Sequence, residues 1–307
     1  MAHGWMGIAI GRYAVCVAGM EYAGRGRQRM AWVRHETMPC ELFSGAPAPQ
    51  VSEMLAAALR SAVRPFENKY ARIQITLPDA ACHALTLGFD ELPARRQAVA
   101  ALVRWRMARE LNCEPQTLTC AWQSLGEESG RHLVFVTGVD HAWYASVQTA
   151  LRLAGIVPEV IDLAASHRFN RYHDTLLAEA GGGALLALDV ESYSIYLWDA
   201  LGRLRLVRAR WRDTQSADDR KAEWLQLVRE TEYTVRAYAQ QASDRLVSRL
   251  WVSGDVAEAH GVAEIFEQRA GVSCGVLPLD HGLNLENAGQ MSAVPGVEPA
   301  LAALIPR

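Results

Sequence analysis

Lysine is almost missing from this chain: of 31 basic residues only Lys69 and Lys221 are lysines, and the others are arginines. Genome composition can produce such a bias, yet the bias has a chemical consequence. A P-loop needs a lysine directly after a glycine to reach nucleotide phosphates, and neither lysine follows one, which excludes that class of site. Paired cysteines are also missing. The six cysteines (Cys16, Cys40, Cys82, Cys113, Cys120, Cys274) form no CxxC motif, and no histidines stand at zinc spacing, so they read as buried thiols of a reducing compartment. No apolar run reaches the roughly 18 residues of a membrane span, and the opening MAHGWMGIAI lacks the basic start and long apolar core of a secretory signal. The net charge is only −3, which gives no global electrostatic case for nucleic acid or an acidic membrane. The expectation is a cytoplasmic protein with no span of its own.

What is present is a duplication. At 307 residues and 50% hydrophobic, the chain can bury the cores of two domains. Residues 183–211, GALLALDVESYSIYLWDALGRLRLVRARW, read as three consecutive strands: one rising to Asp189, one over 193–198, and one starting at Arg203 after the reversal at 199–202. The N-terminal stretch GIAIGRYAVCVAGM, the turn EYAGRGRQ and RMAWVRHETM repeat that pattern roughly 180 residues earlier. Each meander leads to a helical stretch (51–65 and 219–241) and then a strand, ARIQITLP or SRLWVSGD. The pattern predicts two related halves facing one another, 1–180 and 181–307.

The segments between follow the usual periodicities. Val51, Leu55, Leu59 and Val63 recur every fourth residue, a short amphipathic helix ended by Pro65. From about 89 to 160 the first half carries material without a counterpart: a helix opened by Pro93, strands TLTCAWQSL and HLVFVTGV, and a helix with Trp143, Val147, Leu151 and Ala154 on its inner stripe. This predicts an inserted α+β subdomain. A helix over IDLAASHRFNRYHDTLLAEA closes the first half, and Gly181 to Gly183 read as a flexible link. In the second half Ser216 is a candidate cap for a helix beginning near Asp218 and Asp219. Trp224, Val228, Thr231, Val235 and Tyr238 form its stripe. A further helix and strand, a polar loop through Asn287 and a last short helix, PALAALI, complete the chain.

Two duplicated halves with this order, ITLPDA at 75–80, FDELPARR at 89–96, GIVPEVIDLAASHRFNRY at 155–172 and the closing PALAALIPR resemble the actin-like ATPase superfamily. More closely they resemble PilM-type and MshI-type pilus assembly proteins and the cytoplasmic domain of type II secretion GspL. The resemblance implies a duplicated ribonuclease H-like fold with two facing domains, the first carrying the insert. It also implies ATP with Mg²⁺ between the halves, held by glycine turns that let the backbone approach phosphate and by aspartates offering hard oxygens. Laid on this sequence, the phosphate turns are Ala9, Gly11 and Ala14, then Asp189, Glu191 and Ser194; the adenosine motif is Ser253, Gly254, Asp255. Each has lost an element, and Glu191 puts bulk and negative charge where phosphate oxygens would lie. A nucleotide, if bound, would use Gly11, Asp189, Ser194 and Gly254; otherwise those residues simply make tight turns. The expectation is a scaffold without cofactor, catalytic residue or metal.

By the same resemblance, the partner is the cytoplasmic tail of a PilN-like inner-membrane protein, gripped between the first half and its insert, along with other platform components including the assembly ATPase. A type II secretion platform is the neighbouring alternative, and an actin-like ATPase the enzymatic one. A filament-forming protein is disfavoured because only about ten residues separate the third strand and helix of the second half, leaving little room for a large fourth subdomain. His167 and His173 lack the glutamate of an HExxH motif, no GxSxG elbow occurs, and Asp189 with Glu191 lacks the further acidic partners of a nuclease. Arg203, Arg205, Arg208, Arg210 and Arg212 alternate between two faces of one strand. They predict a charged edge rather than a nucleic-acid surface.

Overall fold

The computed structural model describes residues 4–23, 27–64, 72–178, 181–212, 220–240, 247–270, 273–277 and 300–301. The first half opens with an antiparallel meander, β1 (Gly4–Ile10), β2 (Ala14–Ala23) and β3 (Arg27–Thr37). Every residue of β1 is buried, because its apolar side chains point in alternation to two covered faces. Met6, Ile8 and Ile10 enter the main core, while Trp5 and Ala9 join Cys16 and Met20 in a second cluster closed by Ala300 and Leu301. The chain's last described residues therefore return to the first sheet. Helix α1 (Val51–Val63) buries Val51, Leu55, Leu59 and Val63, the stripe its spacing predicts. It carries the chain to β4 (Arg72–Leu77), parallel to β1.

A strand not expected from the sequence follows: β5 (Cys82–Phe89). Then come α2 (Arg96–Glu110), β6 (Leu118–Glu128), β7 (Arg131–Asp140) and α3 (His141–Leu153). Helix α2 covers β5 and β7 through Val99, Val103 and Met107. Helix α3, capped by Asp140, lies instead against α1. Ser52 Oγ donates to Ser146 O (3.2 Å), and Arg60 Nη1 to Leu153 O (2.9 Å). The helix expected from residue 161 begins later, since Val160–Leu163 form β8, parallel to β4, and α4 occupies Ala164–Leu176. A strand forms there because β4 would otherwise leave its outer backbone groups unpaired. The first sheet thus runs β3-β2-β1-β4-β8.

The second half repeats that order. Strands β9 (Gly182–Leu188), β10 (Ser192–Trp198) and β11 (Leu204–Trp211) form the meander, α5 (Arg220–Ala239) leads to β12 (Val247–Ser253), and α6 (Val256–Ala270) to β13 (Cys274–Leu277). The sheet runs β13-β12-β9-β10-β11 and then continues into β5-β7-β6. The joint is the pairing of Leu206 with Leu85 and Val207 with Ala84, so the insert hangs edge to edge on the second half. Strand β11 is therefore not the solvated edge its arginines suggest. Arg205 is buried against Glu128 and Asp199 (2.8 and 3.5 Å), and Arg210 meets Glu230 at 3.6 Å.

Gly182 and Gly183 lie in β9, not in a flexible link. A Cβ on Gly183 would come within 2.2 Å of the Trp198 ring, which itself packs against Phe169 of α4 with centroids 5.7 Å apart and planes tilted by 60°. The glycine makes room for the tryptophan that joins the halves. Ser216, Asp218, Asp219, the turn at 24–26, the loop through Asn287 and all of the last helix but Ala300 and Leu301 lie outside the described residues. All six cysteines are free; Cys16 is buried while Cys113 is exposed, so the expectation of uniformly buried thiols does not hold. We predict that Gly183→Ala costs about 1–3 kcal/mol by overpacking against Trp198, read as a lower urea midpoint at unchanged slope.

Candidate functional site

The turns β1–β2 (residues 11–13) and β9–β10 (residues 189–191) meet across the cleft between the halves. Gly11 N donates to Ala14 O (2.7 Å) and closes the first turn. The next two amides, Arg12 N and Tyr13 N, point out of it and donate to the Glu191 carboxylate at 2.6 and 3.1 Å. Successive amides converging on one anion form a nest, a backbone geometry that binds phosphate or carboxylate. A Cβ on Gly11 would stand 2.8 Å from Glu191 Oε2, so glycine permits the approach. The second turn is fixed by Asp189 N to Ser192 O and Arg212 N to Glu191 O, both 2.8 Å. Arg212 also binds Glu223 and Glu258 at 2.7 and 2.6 Å, tying the turn to α5 and α6. Burial, with Asp189 adding to it, pushes the Glu191 carboxyl above the usual carboxylate range despite the two amides and Arg12. The two amides, the Arg12 guanidinium and the geometry of the turn hold the carboxyl there against that burial.

Beneath the turns lies a buried polar chain. Arg168 of α4 is fully buried and pairs with Asp189 through Nη2. Its Nη1 donates to the Tyr196 hydroxyl (3.0 Å), which donates to Asp79 Oδ2 (2.6 Å). The other Asp79 oxygen accepts from Ala165 N at the start of α4 (2.7 Å), capping that helix from another segment. Burial outweighs Arg168 and Tyr196 and raises the Asp79 carboxyl. The four side chains join α4 and the segment after β4 to β9 and β10 of the other half.

Of the residues picked from sequence, Gly11 and Asp189 line one cavity, together with Ala9, Ala14 and Glu191. Ser194 is buried beside Asp79 instead. Gly254, at φ +145°, would place a Cβ 2.7 Å from Leu188 O, so it serves the close approach of the β12–α6 turn to β9. His167 is buried in α4, and His173 is exposed beside Asp174 at 3.2 Å. Sequence reasoning missed Asp79, Arg168 and Tyr196. A signal for one existed: Arg168 stands three residues after Ala165 and four before Tyr172, on the stripe that α4 buries.

The cavity measures about 40 Å³, against the several hundred of a typical ligand pocket. A magnesium nucleotide does not fit these residues. The amides that would hold phosphate carry Glu191, and the carboxylate that would organise the metal carries Arg168. Among the described residues no group of three or more His, Cys, Asp or Glu is placed to hold a metal ion.

Two sheets of identical strand order, facing across a cleft at the ends of their meanders, define an actin-like fold. Two solved structures share it. A chain of the PilM-PilN type IV pilus biogenesis complex matches with a TM-score of 0.72 over 99% of this chain and 98% of its own, at 17% identity. A Bacteroides thetaiotaomicron protein with an actin-like ATPase fold and unknown function matches at 0.52 over 90% and 91%, at 10% identity. The cytoplasmic domain of EpsL, an inner membrane component of the Vibrio cholerae type II secretion system, gives 0.47 over 81% of each chain at 11% identity. No family model matches the sequence, and no curated protein does.

Two predictions follow from the charges. Arg168→Met leaves Asp79 and Asp189 without their cation and should cost about 3–5 kcal/mol in urea unfolding. Because folding raises the Glu191 pKa, its stabilising contribution is complete below the unfolded pKa and is lost as pH rises through the folded one. Glu191→Ala should therefore cost more stability at pH 4 than at pH 7, measured by urea unfolding of both proteins at each pH.

Proposed function

We propose that this chain is a cytoplasmic actin-like adaptor of a type IV pilus biogenesis machine that grips the cytoplasmic tail of a PilN-like inner-membrane protein and works without ATP hydrolysis. The observation that carries the reading is the match, over nearly the whole of both chains, to a chain of the PilM-PilN complex. A groove of the right kind accompanies it. Between α4, the edge strand β8 and the strands β6 and β7 of the insert lies a cavity of about 760 Å³, and a second of about 140 Å³ continues it; Asp162 of β8 lines both. Among the described residues β8 ends its sheet, and an extended peptide recognises such an edge by backbone pairing.

Phe135 and Phe169 supply apolar surface, and Asp162 and Asp174 supply negative charge. Arg203 at the rim is taken up by Asp199 and Glu128 (2.7 and 3.4 Å). The cytoplasmic flanks of membrane spans are rich in Lys and Arg, which suits an acidic groove. No helix among the described residues is long and apolar enough to cross a membrane, so in this reading the protein reaches the membrane through its partner.

Calorimetric titration with a synthetic peptide of the PilN-like tail should give saturable micromolar binding that weakens with added salt. Asn170→Trp and Ser124→Trp, exposed positions lining the groove, should each weaken it at least about tenfold by filling the seat, with unchanged unfolding midpoints. Absence of tail binding would overturn the adaptor reading. Saturable Mg²⁺-ATP binding would overturn the nucleotide-free one and put an actin-like ATPase in its place.

A further inference from the structure

The disagreement between the cleft and a magnesium nucleotide has a pattern. Both charges that such a ligand would bring are already there, supplied by the chain and set on the groups that would receive them. The anion-binding nest of the β1–β2 turn is complete: Gly11 is bare of side chain, its N–H closes the turn, and the amides of Arg12 and Tyr13 converge on a single carboxylate. That carboxylate comes from residue 191, on the opposite half and 179 residues away from Arg12. The Arg12 side chain crosses in the other direction. Its guanidinium, held by Glu41 at 2.5 Å, lies 5.3 Å from the ring centre of Trp211 at the end of β11. On the second half, Asp189 carries the guanidinium of Arg168.

We propose that Glu191 is a built-in occupant of a competent phosphate-binding nest, standing where a nucleotide phosphate would sit, and that it bolts the two halves together across the cleft. With Arg168 at Asp189 it forms an internal replacement for the anion and the cation of a magnesium nucleotide. Closure then belongs to the chain and needs no ligand. The effective concentration of a tethered carboxylate exceeds that of a free competitor in solution, so phosphate compounds are shut out while Glu191 is in place. The class of ligand that the emptied nest accepts is an inorganic or nucleoside polyphosphate. This inference rests on the nucleotide-free reading of the cleft and specifies the residue responsible.

Amide hydrogen exchange, resolved by NMR at Arg12 and Tyr13, tests it with inorganic tripolyphosphate as the probe. In the wild-type protein both amides should be protected, and tripolyphosphate should change neither. In Glu191→Ala both should exchange at least about tenfold faster, the loss of a hydrogen bond to a charged acceptor, and tripolyphosphate should restore protection saturably. Glu191→Gln keeps the shape but offers one acceptor, so only one of the two amides should remain protected. Equal exchange in the wild type and Glu191→Ala would overturn the bolt, as would protection of both amides in Glu191→Gln. Failure of tripolyphosphate to restore protection in Glu191→Ala would overturn the competent nest. Protection of the wild-type amides by Mg²⁺-ATP is a separate result, and it would sink the nucleotide-free reading itself.

Discussion

Burying carboxylates between two facing sheets requires a cation among them, and the rest of this molecule is arranged so that Arg168 can be that cation. Asp79 closes the start of α4, Asp189 follows β9, and the two approach Arg168 from opposite halves, Asp79 fully buried and Asp189 largely so. Like charges so placed would repel and desolvate at a cost that neither half could carry alone. Arg168 meets Asp189 directly and reaches Asp79 through the Tyr196 hydroxyl. The planar guanidinium suits this task, since it addresses two partners in fixed directions. Helix α4 is therefore more than a connector: it brings Phe169 and Tyr172 into the shared apolar core and the cation into the polar one.

The same principle governs the cleft above. A turn whose amides point outward asks for an anion, and a carboxylate at a strand end asks for a cation. In an actin-like ATPase a bound ligand answers both. Here side chains from the facing half or the neighbouring helix do so, and the space left over is about 40 Å³. Burial of the Glu191 carboxyl works against the two amides and the Arg12 guanidinium that hold it.

Much of the fold was legible beforehand, and for identifiable reasons. The stripe of α1 and the meander over 183–211 follow from periodicity alone. The strand over 82–89 was overlooked although Leu85, Leu87 and Phe89 alternate with Thr86 and Gly88 in a strand period; what the alternation does not reveal is its partners, β7 and β11. Strand β8 is only four residues, completed by the edge of β4. The glycines at 182 and 183 look like a hinge in sequence and are in fact space for Trp198. At the site, Gly11, Asp189 and Glu191 could be picked out by their place in the turns. Arg168 and Asp79 could not, since a buried charge in an otherwise ordinary helix or strand end leaves no local mark beyond its position on an apolar stripe.

What the sequence by itself determined is the duplicated order of elements, and with it an actin-like pair of sheets, because hydrophobic period and turn chemistry act over a few residues and are written locally. Through the resemblance it also implied phosphate turns that each lack an element, with Glu191 where a glycine is expected. What only the tertiary structure decided is where that carboxylate goes, which cation meets Asp189, and that the insert continues the sheet of the second half. Two of those outcomes depend on contacts between residues more than 100 positions apart, Arg12 with Glu191 and Leu85 with Leu206, and the third joins Arg168 to Asp189, 21 positions further on, across the boundary of the halves. Pairings of that range are set by how two halves pack and by the need to satisfy every buried charge and amide, which no local pattern encodes.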